Sequence, residues 1–179
     1  MSSPPPVRRA DKLMADDEVR ALLARGYCAR LATVGADGYP YCVPLLYVVV
    51  DDEIWLHNTA ARGHLRANVE REARVCLEVD EPGEIFPFGR FECDTSIAFA
   101  SVVIFGRIRI VEDEAEKIEF YTAVMRKYAP AESWGRERGS FPRLGMTVVY
   151  AITPELITGK QGPLPPLAQR WSKPKPKLP

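Results

Sequence analysis

Between Trp55 and Asn68 the chain reads WLHNTAARGHLRAN, and this stretch gathers the side chains best suited to holding an anion. It contains both histidines of the protein, His57 and His64, and two arginines, Arg62 and Arg66, four residues apart. Ile54 and Leu56 lead into polar His57, Asn58 and Thr59 as a strand would, whereas from Gly63 onward Leu65 and Val69 recur at helical spacing. A helix start offers free N–H groups and the positive end of the helix dipole, which favour a phosphate before any side chain acts. Arg62 and Arg66, one helical turn apart, are expected to reach that same anion. The competing reading of this spacing is a solvated basic helix face.

The elements around this junction follow from pattern and composition. The 179 residues are 46% hydrophobic, enough to bury one core. Lys plus Arg and Asp plus Glu both number 24, so no long-range field draws nucleic acid or an acidic membrane surface, and basic groups serve local anions. The apolar runs CVPLLYVVV at 42–50 and IAFASVVIFG at 97–106 are too short to span a bilayer, and MSSPPPVRRADK has no apolar signal segment, so a cytoplasmic location is expected. Cys28, Cys42, Cys76 and Cys93 form no CxxC pair, which argues against zinc, iron–sulfur or dithiol chemistry and for buried reduced thiols. No Walker loop or GxGxxG occurs, so a nucleotide cofactor must bind in another way.

Residues 1–10 and 161–179 are Pro-rich and read as tails flanking one domain at 11–160. Asp16 to about Arg25 predicts a short amphipathic helix with an Asp as its cap. Tyr27–Val34, a turn at 36–38 and the long run Tyr39–Val50 predict a hairpin. Asp51-Asp52-Glu53 then turns into the strand 54–58, so three consecutive strands are expected to be antiparallel neighbours. A helix follows from Gly63 to about Glu72, a strand over 73–79 and a loop to about Thr95. The long strand 96–111 holds Gly106, a candidate bulge. A helix over 112–128 is expected to turn Ile118, Tyr121, Val124 and Met125 inward, and 146–152 closes the set. Six strands with short connections predict a mainly β fold, a six-stranded antiparallel split β-barrel with a few flanking helices, because closure removes exposed edges.

In this order of elements the chain resembles the FMN-binding split barrels related to pyridoxamine 5′-phosphate oxidase, and among them the 5-nitroimidazole-resistance (Nim-type) branch. RRADK at 8–12, GYPYCVPLLYV at 38–48, WLHNTAARGHLRAN at 55–68, ASVVIFGRIRIVED at 100–113 and ITGK at 157–160 carry the resemblance, which covers about 8–162. It implies a homodimer with FMN at the subunit interface. Pro44, Leu45, Leu46 and Tyr47 match the strand along the flavin ring, and His57, Asn58 and Thr59 the strand end that meets the flavin and ribityl chain. Arg62, Gly63, His64, Leu65 and Arg66 match the phosphate turn, and Ser101 and Val102 a segment near the cofactor at the interface. The branch also has a histidine where His57 stands, so a neutral imidazole there is a candidate proton donor to a reduced nitro group. The alternative for His57 is a purely structural hydrogen bond.

One departure from the family stands at Leu65, where many relatives place a lysine. That absence weakens phosphate binding unless Arg62 or Arg66 takes its place; if neither does, weak FMN binding or a different ligand is expected. The resemblance implies a flavin-dependent oxidoreductase served by a small-molecule electron donor and a small planar acceptor such as a nitroaromatic. Its rivals are a non-catalytic flavin-, haem- or deazaflavin-binding protein and a barrel used mainly for dimerisation. Pyridoxamine-phosphate oxidation itself needs a second basic set, for which the sequence offers only the loosely spaced Arg136, Arg138 and Arg143. Asp11, Glu84 and Glu92 read as solvated charge, Trp55, Trp134 and Trp171 as packing residues, and Lys160 as a lysine that either faces the site or lies in an exposed loop. A flavin-stacking role for Trp134 or Phe88 from the partner chain has no support in the sequence.

Overall fold

The computed structural model describes residues 5–86, 95–129 and 141–164. Phe88, Glu92, Cys93, Trp134, Arg136, Arg138, Trp171 and most of the two expected tails lie outside the described residues. Three helices, α1 (Asp16–Arg25), α2 (His64–Arg71) and α3 (Glu114–Tyr128), accompany seven strands. These are β1 (Ala29–Val34), β2 (Pro40–Leu45), β3 (Tyr47–Val50), β4 (Glu53–Thr59), β5 (Arg74–Phe86), β6 (Ser96–Val111) and β7 (Thr147–Gly162). All pairings are antiparallel, in the spatial order β2-β1-β5-β6-β7-β4-β3.

The seventh strand comes from the run 39–50, which is not one strand but two. β2 pairs with β1, β3 pairs with β4, and the two sit at opposite ends of the sheet although Leu46 alone separates them in sequence. One residue cannot cross an open sheet of seven strands, whose neighbours lie about 4.8 Å apart. The sheet therefore curls until its first and last strands meet, and the β2/β3 seam is the split of the barrel. Asp51 and Asp52, with φ of 47° and 64°, form the two-residue turn joining β3 to β4.

Burial sorts the strand residues into two cores. Leu31, Ile54, Leu56, Leu77, Ile104 and Tyr150 fill the barrel, with Val19, Leu22 and Leu23 of α1 closing over it. Val48, Trp55, Val149 and Ala151 point to the other face of their strands and meet Phe120 of α3. Of the stripe expected on α3, Tyr121 and Val124 pack against this core, whereas Ile118 is 39% exposed and the fully buried residue is Phe120. The helix begins after Asp113, which accepts from the N–H of Glu116. In α1 the cap position falls on Ala15 rather than Asp16, and Glu18 Oε2 accepts the Ala15 N–H instead. The thiols differ from expectation too: Cys42 is exposed and Cys28 and Cys76 are half-buried, all three free, because each stands on or beside strand residues that face out of the barrel.

Gly106 sits at a register shift between β6 and β7, as its position in the long strand predicts. A Cβ built there would lie 2.5 Å from the Thr153 carbonyl oxygen and 3.2 Å from Pro154 Cα, both backbone atoms that cannot swing aside. Gly106→Ala is therefore expected to destabilise the barrel by about 1–3 kcal/mol, read as a lower denaturant midpoint at unchanged slope.

Candidate functional site

β4 pairs with β7 as far as Thr59↔Thr147, and the Ala60 N–H donates to Met146 O at 2.9 Å, so the strand is held to its last residue. The chain then turns through 60–63 into α2, whose Leu65, Asn68 and Val69 cover the barrel end. Asn68 Nδ2 donates to Thr33 Oγ1 at 3.0 Å, and Arg71 donates to the carbonyls of Val34 and Gly35. These bonds moor α2 to β1 and its turn, so its free end has a fixed direction.

That free end is uncapped. Gly63 is the cap residue, no side chain bonds the first turn, and the helix ladder begins at Ala67 N–H to Gly63 O. The N–H groups of His64, Leu65 and Arg66 have no acceptor within the helix. A Cβ built on Gly63 meets nothing within 4 Å, and its backbone is extended, so the cap position itself is uncrowded. His64 is exposed at the rim, its ring 5.5 Å from that of Tyr41 on β2. Open donors with a fixed direction make a cradle for an anion.

The two arginines do converge on one anion, but it belongs to the chain. Arg62 Nε and Nη2 donate to Glu70 Oε2 at 3.0 and 2.8 Å, and Arg66 Nε donates to Glu70 Oε1 at 2.9 Å. Arg66 Nη1 also donates to Ala60 O at 3.2 Å. Both guanidinium groups hold the Glu70 carboxyl below the usual carboxylate range. Glu70 thus occupies donor edges of both arginines, while the Arg66–Ala60 bond keeps that cation beside the turn ahead of the helix. The i,i+4 spacing of Arg66 and Glu70 was a legible signal for this pair, whereas the reach of Arg62 to Glu70 was not.

Other expected site residues divide between surface and core. Pro44 is exposed, Leu45, Leu46, Asn58 and Ser101 are half-buried, and Thr59 is exposed with its N–H donating to Asn58 Oδ1 at 2.7 Å. Leu65, Tyr47 and Val102 are core residues at 2%, 0% and 0% exposure, which closes their side chains to a ligand and leaves only main-chain atoms. For Tyr47 even these are engaged. Its N–H donates to Tyr128 Oη at 3.2 Å, and Tyr128 donates to its carbonyl at 2.8 Å, while its own hydroxyl donates to Leu23 O at 2.7 Å. Lys127 Nζ lies 3.7 Å from the centre of the Tyr47 ring and donates to Leu23 O, and burial pulls its pKa down to about 8. Lys127 and Tyr128 thus seal the barrel seam from α3, a role no sequence spacing announces.

His57 is separated from the phosphate-type turn by the strand's alternation. It shares a face with Trp55 and lies beneath α3, its ring 5.5 Å from Phe120 and 5.7 Å from Tyr121. Its Nδ1 is buried without a hydrogen-bond partner, as is Trp55 Nε1. Burial lowers the pKa of His57, so the ring is neutral at physiological pH. Lys160 stands opposite Ser101 in the β6/β7 register and Asp11 is paired with Arg9, whereas Glu84 is exposed. Among the described residues no group of three metal-ligating side chains forms.

Two outcomes follow. Because the folded pKa of His57 is lowered, the unfolded chain takes up the proton first as pH falls. Stability is expected to drop as pH falls through the ordinary histidine value of about 6.5 toward the lowered folded value, and His57→Phe should flatten that slope in denaturant midpoints measured at pH 7.5 and 5. Gly63→Ala should change the midpoint by under about 0.5 kcal/mol, since nothing contacts the added methyl.

The family model described as pyridoxamine 5′-phosphate oxidase matches residues 15–161. Flavocytochrome Anf3 from Azotobacter vinelandii superposes with a TM-score of 0.76 at 22% identity, over 97% of this chain and 88% of that one. The FAD and haem binding protein from Mycobacterium smegmatis gives 0.69 at 21%, over 82% and 71%. A Bacteroides thetaiotaomicron protein whose assigned role is 5-nitroimidazole antibiotic resistance gives 0.69 at 19%, over 84% and 86%. No curated protein sequence matches the chain. The family match across most of the length, on a barrel of this topology, makes this chain a member of the pyridoxamine 5′-phosphate oxidase family.

Proposed function

We propose that this protein is a homodimeric FMN-dependent oxidoreductase that reduces small planar acceptors of the nitroaromatic kind. The observation that carries the reading is the uncapped start of α2, with open space at Gly63 and two arginines within reach. A terminal phosphate there would accept the N–H groups of His64, Leu65 and Arg66, and His64 at the rim would add a third basic group. The rest of the cofactor would lie along β2 toward Pro44 and Leu45, three to four residues and roughly 10–13 Å from Tyr41, a length suited to a ribityl chain and ring. When bound, the flavin supplies the electron transfer. The chain's own part is to bind the phosphate, orient the ring and exclude water.

Support for two chains comes from the sheet itself. Pro44 and Ser101 point to the same outer face, but the register Pro44↔Arg30, Arg30↔Glu78, Glu78↔Val103 sets three strand spacings between their strands. That is roughly 14 Å, so a single chain does not bring both to one ring and a second copy would. The coarser support is that two of the similar folds carry flavin names, Anf3 as a flavocytochrome and the M. smegmatis protein as an FAD and haem binder.

A second reading, a flavin binder without turnover, is favoured by one observation: the half-buried His57 ring packs against Phe120 and Tyr121 with its Nδ1 covered. The two readings share the binding step and differ in the next. FMN titration with fluorescence quenching should give one flavin per chain, and removing either guanidinium in Arg62→Ala or Arg66→Ala should weaken binding about tenfold. Protein that leaves FMN fluorescence unchanged sinks both readings. If FMN binds, oxidation of reduced nicotinamide with a nitroaromatic acceptor separates them, and loss of turnover in His57→Asn at unchanged FMN affinity assigns the proton to His57.

A further inference from the structure

We infer that Glu70 is an internal competitor for the phosphate, occupying donor edges of Arg62 and Arg66 until a dianionic ligand displaces it. The inference rests on the flavin-phosphate reading above and deepens it. Three charge-assisted bonds tie the two guanidinium groups to one carboxylate, and they use the Nε of both arginines, part of the edge that would otherwise meet a phosphate side-on. Both cations are therefore already partnered, although Arg66, bonded to Ala60 O, stays beside the turn that precedes the helix donors. A phosphate bound at the helix start while Glu70 keeps both arginines would gain the helix N–H groups but not the arginines, and would sit near a carboxylate. A ligand that takes the arginines over must outbid that carboxylate.

This arrangement selects by charge. A phosphate monoester carries close to two negative charges at pH 7 and three strong acceptor oxygens, whereas a carboxylate carries one charge and two oxygens. Riboflavin, with no phosphate, gains nothing from the exchange. Glu70 thereby sets a threshold that phosphorylated ligands cross and uncharged analogues do not meet. Removing its charge lowers the threshold without removing a donor from the site. Glu70 is about one turn beyond Arg66 on the outer flank of α2 and contributes nothing to the core, so its replacement leaves the fold intact.

The test compares FMN, riboflavin and inorganic phosphate on the wild type and on Glu70→Gln, which keeps the side-chain shape. Flavin binding is read by fluorescence quenching and phosphate binding by shifts of the His64, Leu65 and Arg66 amide signals. FMN is expected to bind roughly tenfold more tightly to Glu70→Gln, with riboflavin unchanged within twofold and phosphate tightened in parallel with FMN. Equal or weaker FMN binding by the variant overturns the inference and leaves the flavin reading standing, since Glu70 would then position the arginines. Phosphate tightened in the variant while neither form binds FMN or riboflavin supports the competitor and removes the flavin reading. No binding of any probe to either form overturns both.

Discussion

The connection through Leu46 is the constraint on which the molecule turns. β2 and β3 are consecutive in the chain and terminal in the sheet, so a seven-stranded sheet must roll up to let one residue join its edges. Rolling gives every strand an inside and an outside, fills the inside with Leu31, Leu56, Leu77, Ile104 and Tyr150, and leaves a seam with no ladder across it. An unpaired seam exposes backbone polar groups, and here Tyr128 takes both the amide and the carbonyl of Tyr47. α3 is therefore not ornament on the barrel; its last turn supplies hydrogen bonds that a missing strand would have made.

The same closure orients the candidate site. β4 runs out against β7, the turn at 60–63 follows, and α2 is moored over the barrel mouth by Leu65, Val69 and the Asn68–Thr33 bond. A helix pinned by its far end and its apolar side presents its N-terminus rigidly. Fixed donors lose no entropy when an anion arrives, which is why a rigid scaffold suits a phosphate cradle better than a loop would. The arginines are placed by charge rather than by packing: both bond the Glu70 carboxylate, and Arg66 also bonds Ala60 O.

Much of the architecture was open to inspection in the residues. Period-two apolar runs marked the strands, Gly106 marked the register shift, and the change from alternating to helical spacing between Thr59 and Leu65 marked the junction. These features are local, set by backbone geometry within a few positions, and local rules read them. The miscounted strand was also local in origin: 39–50 is uniformly β-prone, and nothing in that run says that its halves pair with different partners. On α3 Tyr121 and Val124 turn inward as their spacing says, but Phe120 and Ile118 are both apolar and only the opposing residues Val48, Val149 and Ala151 select Phe120.

What the amino-acid sequence determined, then, is the kind of most elements and the anion-suited turn with His64, Arg62 and Arg66 around it. What the tertiary structure alone decided is who meets whom: that the apolar residues divide between two cores, that His57 lies under Phe120 and Tyr121, and that Tyr47 is locked by Tyr128. Pairings of this sort depend on which face a strand turns and how far a side chain reaches. Those are fixed when the sheet closes, by contacts between residues far apart in the chain, and no short window of sequence contains them.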